Sequence, residues 1–211
     1  MKVIVCLLIL LSTAFYSFSQ NDERFNKVNS NIVNAVKQQH LFSKFIEGKI
    51  YFENKTVLSS LLNYNILTNE LQFIENNDTL EVSNLSNVEK VVANNFTLLN
   101  IGKKKGLALI IAQSPDNTKQ LAVKKSLITR TAQSGGFTVR NPEDVTVDIA
   151  IIGKVDYYLF NNNKATEANR KNFGKLFSNN KNDIEIYIKN NNIDFENEES
   201  IKQLFNYCIS L

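Results

Sequence analysis

Apolar residues are spaced in two different ways along this chain. From about Leu41 to Thr131 apolar and polar positions alternate. Ile50 and Phe52 alternate with Lys49, Tyr51 and Glu53; Leu71 and Phe73 with Glu70 and Gln72; Leu80 and Val82 with Thr79 and Glu81. A period of two sends successive side chains to opposite faces of a strand. β-rich runs follow at 88–93, 96–101, 107–113 and 121–128, with turn clusters at 53–55, 76–78, 102–106 and 114–118. Short, regularly spaced strands of this kind predict an antiparallel β-meander, closed as a sandwich or as a small open barrel. Their length, about five to seven residues, falls short of the roughly nine to eleven that a tilted membrane-spanning strand needs. Residues 132–147 (AQSGGFTVRNPEDVTV) read as a long loop. Residues 148–152 and 155–160 read as a closing hairpin around Gly153–Lys154.

Past Phe160 the spacing changes to three and four. Ala168, Phe173, Leu176 and Phe177 share one helical face, with Thr166 as the expected N-cap, and Ile184, Tyr187 and Ile188 form a second. Ile201, Leu204, Phe205, Cys208 and Ile209 fall at i, i+3, i+4, i+7 and i+8 of a third. Asn197 precedes that helix as a cap, and Glu198 and Glu199 occupy its first turn, where the helix dipole favours anions. Helices of about ten residues are marginal alone, so these must pack on one another and on the sheet.

The N-terminal region has its own pattern. Met1–Gln20 carries Lys2, an unbroken apolar run from Val3 to Leu11, and Ser17 and Ser19 at the −3 and −1 positions of a cleavage site. That is the layout of a secretory signal peptide. The run is about half the ~20 residues that span a bilayer. Cys6 lies inside it rather than at the cleavage region, which argues against a lipoprotein. Phe25, Val28, Ile32, Val33 and Val36 then space out like an amphipathic helix in a polar leader. The expected organisation is an α+β protein: signal peptide 1–19, leader 20–40, antiparallel β-domain 41–160, and C-terminal helical segment 161–211. It is expected to be exported, periplasmic or secreted, with no transmembrane segment in the mature chain.

Composition narrows the functional classes. The chain has 211 residues, 43% of them hydrophobic, which excludes a disordered polymer. Its 24 basic and 21 acidic residues leave +3, too little to favour nucleic acid or an anionic membrane. Cleavage would leave Cys208 as the single cysteine, so no internal disulfide is expected, and its place on an apolar stripe makes it a small buried hydrophobe. There are 31 asparagines against seven glycines and two prolines. Asparagine tolerates left-handed backbone and can do the turn work of the other two.

The stretch Phe45-x-x-Gly48-Lys49-Ile50-Tyr51-Phe52 is followed by Leu61-Leu62-Asn63-Tyr64-Asn65, Glu70-Leu71-Gln72-Phe73-Ile74 and Asp78-Thr79-Leu80. The ending has Asn172-Phe173-x-Lys175-Leu176-Phe177, then Ile188-Lys189-x-Asn191-x-Ile193-Asp194-Phe195 and a last helix. Together these resemble a family of exported Bacteroidota proteins with no assigned activity. The resemblance implies export and an intact domain, and it carries over no catalytic residues. In such bacteria Asp78-Thr79-Leu80 would also suit an O-glycosylation acceptor.

Candidate chemistry is sparse. Gly102–Gly106, enclosing Lys103–Lys105, lacks phosphate-loop spacing and reads as a solvated hairpin tip. Ser134 has only His40 as an imidazole partner, and one His with one mature Cys is a poor zinc set. No catalytic residue, metal site or cofactor is expected. Glu143, Asp144 and Asp148 in the long loop, with Glu47, Glu53, Glu70 and Glu75 beside strands, are the one route to an enzyme. A glycosidase needs two carboxyls about 5–10 Å apart in unlike surroundings. Tyr51, Tyr64, Tyr157 and Tyr158, with Asn63, Asn65 and Asn161, offer the aromatic and amide groups that suit a sugar or peptide. Strand tyrosines also fill half-buried sheet positions for purely structural reasons. The expected role is a non-enzymatic binding or interaction protein of the cell envelope, its partner an envelope protein or glycan. A carboxylate-dependent hydrolase of envelope polysaccharide or peptide is the alternative. A third reading has the edge strand or leader completing a partner's sheet.

Overall fold

The computed structural model describes residues 37–102, 105–133 and 147–211. The signal-peptide reading, almost all of the leader, Lys103 and Lys104, and most of the 132–147 loop lie outside the described residues. The alternation becomes ten strands: β1 Ile46–Phe52, β2 Val57–Asn65, β3 Glu70–Glu75, β4 Asp78–Glu81, β5 Val88–Ala93, β6 Phe96–Asn100, β7 Leu107–Gln113, β8 Lys119–Gln133, β9 Val147–Asn161 and β10 Lys164–Glu167. They form one open sheet in the order β10-β9-β8-β7-β6-β5-β1-β2-β3-β4. An antiparallel β-meander was expected, and most consecutive strands do pair as neighbours. β1–β4 and β5–β10 each run as a meander, and the two are joined where β5 pairs with β1. Alternation fixes which face a side chain takes, and it leaves open which strand lies alongside.

The chain divides into two compact units, one of them Gln39–Ser126 with Gly153–Leu211. Leu127–Ile152 belongs to the other, in which strand is described at 127–133 and 147–152. The core clusters and the helices belong to the first.

Three sequence expectations are corrected here. No hairpin forms at Gly153–Lys154, because β9 runs through both residues as one strand of 15. Gly153 sits in open space and shows no left-handed backbone, so nothing there demands a turn. The turn comes later, at Asn162–Asn163, and β10 follows it, beyond the expected end of the β-domain at Phe160. Thr166 consequently lies in β10, and Asn169 caps the first helix in its place. β8 and β9, at 15 residues each, also exceed the strand lengths expected from the alternation.

Asparagine does the turn work. Among the described residues, eight of the nine non-glycine positions with left-handed φ are Asn, the ninth being Lys55. Asn76–Asn77 (φ 51°, 67°) and Asn162–Asn163 (φ 46°, 66°) are two-residue hairpin turns with both φ positive. That is the turn type whose twist suits paired strands.

One apolar row crosses six strands. Leu58, Ile50, Val91, Leu98, Leu109 and Val123 lie opposite one another in turn, from β2 to β8. A bulge opposite Tyr51–Phe52 lets Val88 and Val91 both turn inward although they are three residues apart. The sheet bends strongly here. The Tyr64 hydroxyl on β2 accepts a hydrogen bond from the Leu107 N–H on β7 at 3.2 Å and donates to Asn69 Oδ1 at 2.5 Å. A flat sheet would hold strands four places apart at about 19 Å. Gly106, at φ +87°, is required at this closure, since a Cβ would fall 2.4 Å from the Tyr64 oxygen.

Three helices cover the continuation of the same face: α1 Arg170–Leu176, α2 Lys181–Asn190 and α3 Glu198–Ser210. Phe173, Ile184, Ile188, Ile201, Leu204, Phe205 and Cys208 pack against Leu121 and Val123 of β8 and Tyr157 and Leu159 of β9. Asn197 caps α3 as expected, its side chain accepting from the Ser200 N–H at 3.0 Å. Leu109 touches both cores, so the curled part and the helix-covered part share one inner face. No helix among the described residues is long and apolar enough to cross a membrane.

Candidate functional site

The opposite face of the sheet carries a third cluster: Leu99, Ile101, Ala108, Ala122, Tyr158 and Phe160, with Ile110 and Ala165 packed against it. Over it runs a trough of about 890 Å³ reaching from β5 to β10, with no residue of α1, α2 or α3 in its lining. Its apolar floor is Val92, Leu99, Ile110 and Phe160, and Ala165 of β10 lies opposite Phe160 in the sheet register. The fold aims amides into it. A bulge between Ile110 and Ala112 shifts the β7–β8 register, so that Ile110 and Gln113 both line the trough and Gln113 lies directly opposite Gln120. Asn117 and Asn163 join them from two turns, which are tied together where the Asn162 N–H donates to the Thr118 carbonyl at 3.0 Å.

The bonds that shape this end come from other groups. The Asp116 carboxylate accepts from Ser114 Oγ at 2.5 Å, Thr118 Oγ1 at 2.8 Å and the Thr118 N–H at 3.1 Å. These donors, the Ser114 hydroxyl foremost, hold its pKa down at about 2. Asp116 is therefore a turn-building anion. The Asn100 amide is similarly occupied, donating to the Leu85 and Val88 carbonyls and accepting from the Gly102 N–H. Gln113, Gln120, Asn117 and Asn163 face the trough, and none of those shaping bonds uses their side chains among the described residues. The charged lining is balanced, with Glu53 and Glu89 against Lys90 and Lys164. Glu89 pairs with Lys55 at 3.2 Å, and Lys90 Nζ lies 5.0 Å from the Tyr51 ring centre.

The four tyrosines singled out in the sequence are placed on two faces. Tyr64 is 1% exposed inside the curl, where burial pushes its phenol up to about 12 against the opposing pull of the Leu107 hydrogen bond. Tyr157 belongs to the helix-covered core, and burial raises its pKa too. Tyr158 lies in the third cluster on the trough face, 7% exposed, with Lys105 Nζ 5.9 Å from its ring centre. Tyr51 is half-buried on that face beside Lys90. Asn63 and Asn65 are buried and hold Gln39–Phe42 against β2. The Asn63 amide donates to the Phe42 carbonyl at 2.9 Å and accepts its N–H at 3.1 Å, and Asn65 Nδ2 donates to Gln39 Oε1 at 3.1 Å. His40 joins the same strap, its Nε2 3.0 Å from Gln72 Oε1.

The candidate carboxylates are described in part. Glu143 and Asp144 lie outside the described residues, as does the side chain of Asp148. Of the other four Glu53 lines the trough, while Glu70 accepts from the Thr68 hydroxyl at the start of β3. Among the described residues no three of His, Cys, Asp and Glu gather as a metal site requires. Cys208 is buried, and desolvation pushes its thiol up to about 12. Val57 and Leu61 on β2 are exposed apolar residues at 48% and 42%.

The trough residues carried no motif. Gln113 and Gln120 flank a turn on different strands, and the one sequence signal for them was that both border the cluster at 114–118. No protein-family model, no curated protein and no solved structure matches the chain.

Proposed function

We propose that this is an exported, non-enzymatic binding protein of the cell envelope, and that the trough on the face away from α1, α2 and α3 is its ligand seat. The observation that carries the reading is the trough itself: a concave, apolar-floored surface with convergent amides, of the kind that binding sites use. The signal-peptide pattern at 1–19 and the resemblance to exported Bacteroidota proteins support the location. The Tyr64–Leu107 closure favours the open-barrel form of the fold over the sandwich.

Immobilised chain challenged with envelope extract tests the binding. The wild type is expected to retain a specific component, and Ala165→Trp, which fills the trough from β10, is expected to lose it. Equal retention by both contradicts the proposed seat. No retention together with turnover of a generic polysaccharide or peptide substrate selects the hydrolase. Sequencing the N-terminus of the protein recovered from the producing cells is expected to begin at Gln20.

A further inference from the structure

We infer that the ligand of the trough is an uncharged glycan chain, with Gln113, Gln120, Asn117 and Asn163 reading its hydroxyl groups; this rests on the binding reading above. Three observations converge on that chemistry. The lining carries two acidic and two basic residues, Glu89 is already paired with Lys55, and Lys90 rests over Tyr51. An ionic ligand finds no net field there. Four amides then stand at one end over an aliphatic floor. A side-chain amide offers two donors and an acceptor at fixed spacing, and adjacent sugar hydroxyls, each both donor and acceptor, can satisfy them together. The floor of Val92, Leu99 and Ile110 suits the C–H faces of a sugar ring, whose burial supplies the non-directional part of the affinity.

The third observation concerns where the amides sit. A peptide recognised through its main chain adds to a sheet edge, with its own N–H and C=O groups in the ladder. The trough lies on the face of the sheet, and β5 to β9 each have a paired neighbour on both sides, so side chains do the reading along these five strands; β10 alone among the six is an edge of the described sheet. The seat extends across the six strands β5 to β10, about 24 Å along a sheet at the usual spacing. That length matches an oligosaccharide better than a single sugar.

Calorimetry of the full chain with maltohexaose, cellohexaose, chitohexaose and xylohexaose, and with a pool of uncharged nonapeptides, tests the inference. At least one sugar is expected to bind, with little change in affinity as salt is raised. The Gln113→Ala/Gln120→Ala double variant is expected to bind it about tenfold more weakly, with an unchanged melting curve, since two neutral hydrogen bonds are lost. Ala165→Trp is expected to abolish binding, and Lys171→Ala on α1 to leave it intact. No binding of any sugar overturns the inference, as does full affinity in the double variant. Peptide binding that depends on Gln113 and Gln120 while no sugar binds overturns it in favour of a peptide ligand. Should Ala165→Trp still abolish capture from envelope extract when no sugar binds, the glycan assignment fails and the binding role stands.

Discussion

In the curled half of the sheet, strands from both meanders supply both sides of their own core. Ile50, Leu62 and Leu71 meet Val91, Leu98 and Leu107 across the bend, and a single phenol spans the closure. In the helix-backed half the same inner face is covered by a second layer, Phe173, Ile184 and Phe205 from three short helices packing on β8 and β9. The difference shows that one amphipathic face can be buried by curvature or by a second layer. In the second case α1, α2 and α3 leave the far side of the sheet uncovered, and the trough lies over the floor formed there by β5, β6, β7 and β9.

The two solutions differ in how they can be broken. The largest effect is expected in the helix-backed half. Phe205→Ala removes a fully buried ring and is expected to cost about 3–5 kcal/mol, read as a lowered urea midpoint. In the curled half Tyr64→Phe leaves the packing in place and strands the Leu107 N–H, for an expected loss of about 1–3 kcal/mol by the same measurement. A fall comparable to that of Phe205→Ala would make the phenol the main support of the curl and weaken the claim that packing holds it.

A pH titration sharpens the comparison, because in each half burial pushes one group's pKa up to about 12. Burial lifts Cys208 from 9.0 to about 12 and Tyr64 from 10.0 to about 12. Both are neutral when protonated, and the unfolded chain loses these protons first as pH rises. The share of stability that these two groups supply is therefore expected to be intact below pH 9, to fall from there towards about 12, and to fall faster once Tyr64 contributes above 10. Cys208→Ala should delay the onset. An identical profile in that variant would show that the thiol is not buried as described. The smallest effect belongs to the turns: Asn163→Ala is expected to cost about 1 kcal/mol in thermal unfolding and Asn163→Gly much less, because only the alanine resists the left-handed backbone.

Much of the fold was legible residue by residue. β5 and β7 begin and end where the alternation placed them, and α3 carries its cap and buried stripe as read. Periodicity speaks directly to faces, and those elements have strong periods. Strand order was beyond it, and so was β2, whose exposed Val57 and Leu61 blur the alternation. Tyr157 and Tyr158 show what could have been read earlier: neighbours in a strand must point to opposite faces, so both could not line one site. The amide end of the trough was illegible for a different reason. Its members come from two strands and two turns, and a bulge at Ile110–Ala112 sets which face Gln113 takes.

Hydrogen exchange of the full chain with and without envelope extract tests most directly whether the uncovered face is where the protein binds. Protection is expected to rise along β6, β7 and β10 and at the turns carrying Asn117 and Asn163, with α2 and α3 unchanged. Protection confined to the helices, or to Val57–Leu61 on β2, would contradict that placement.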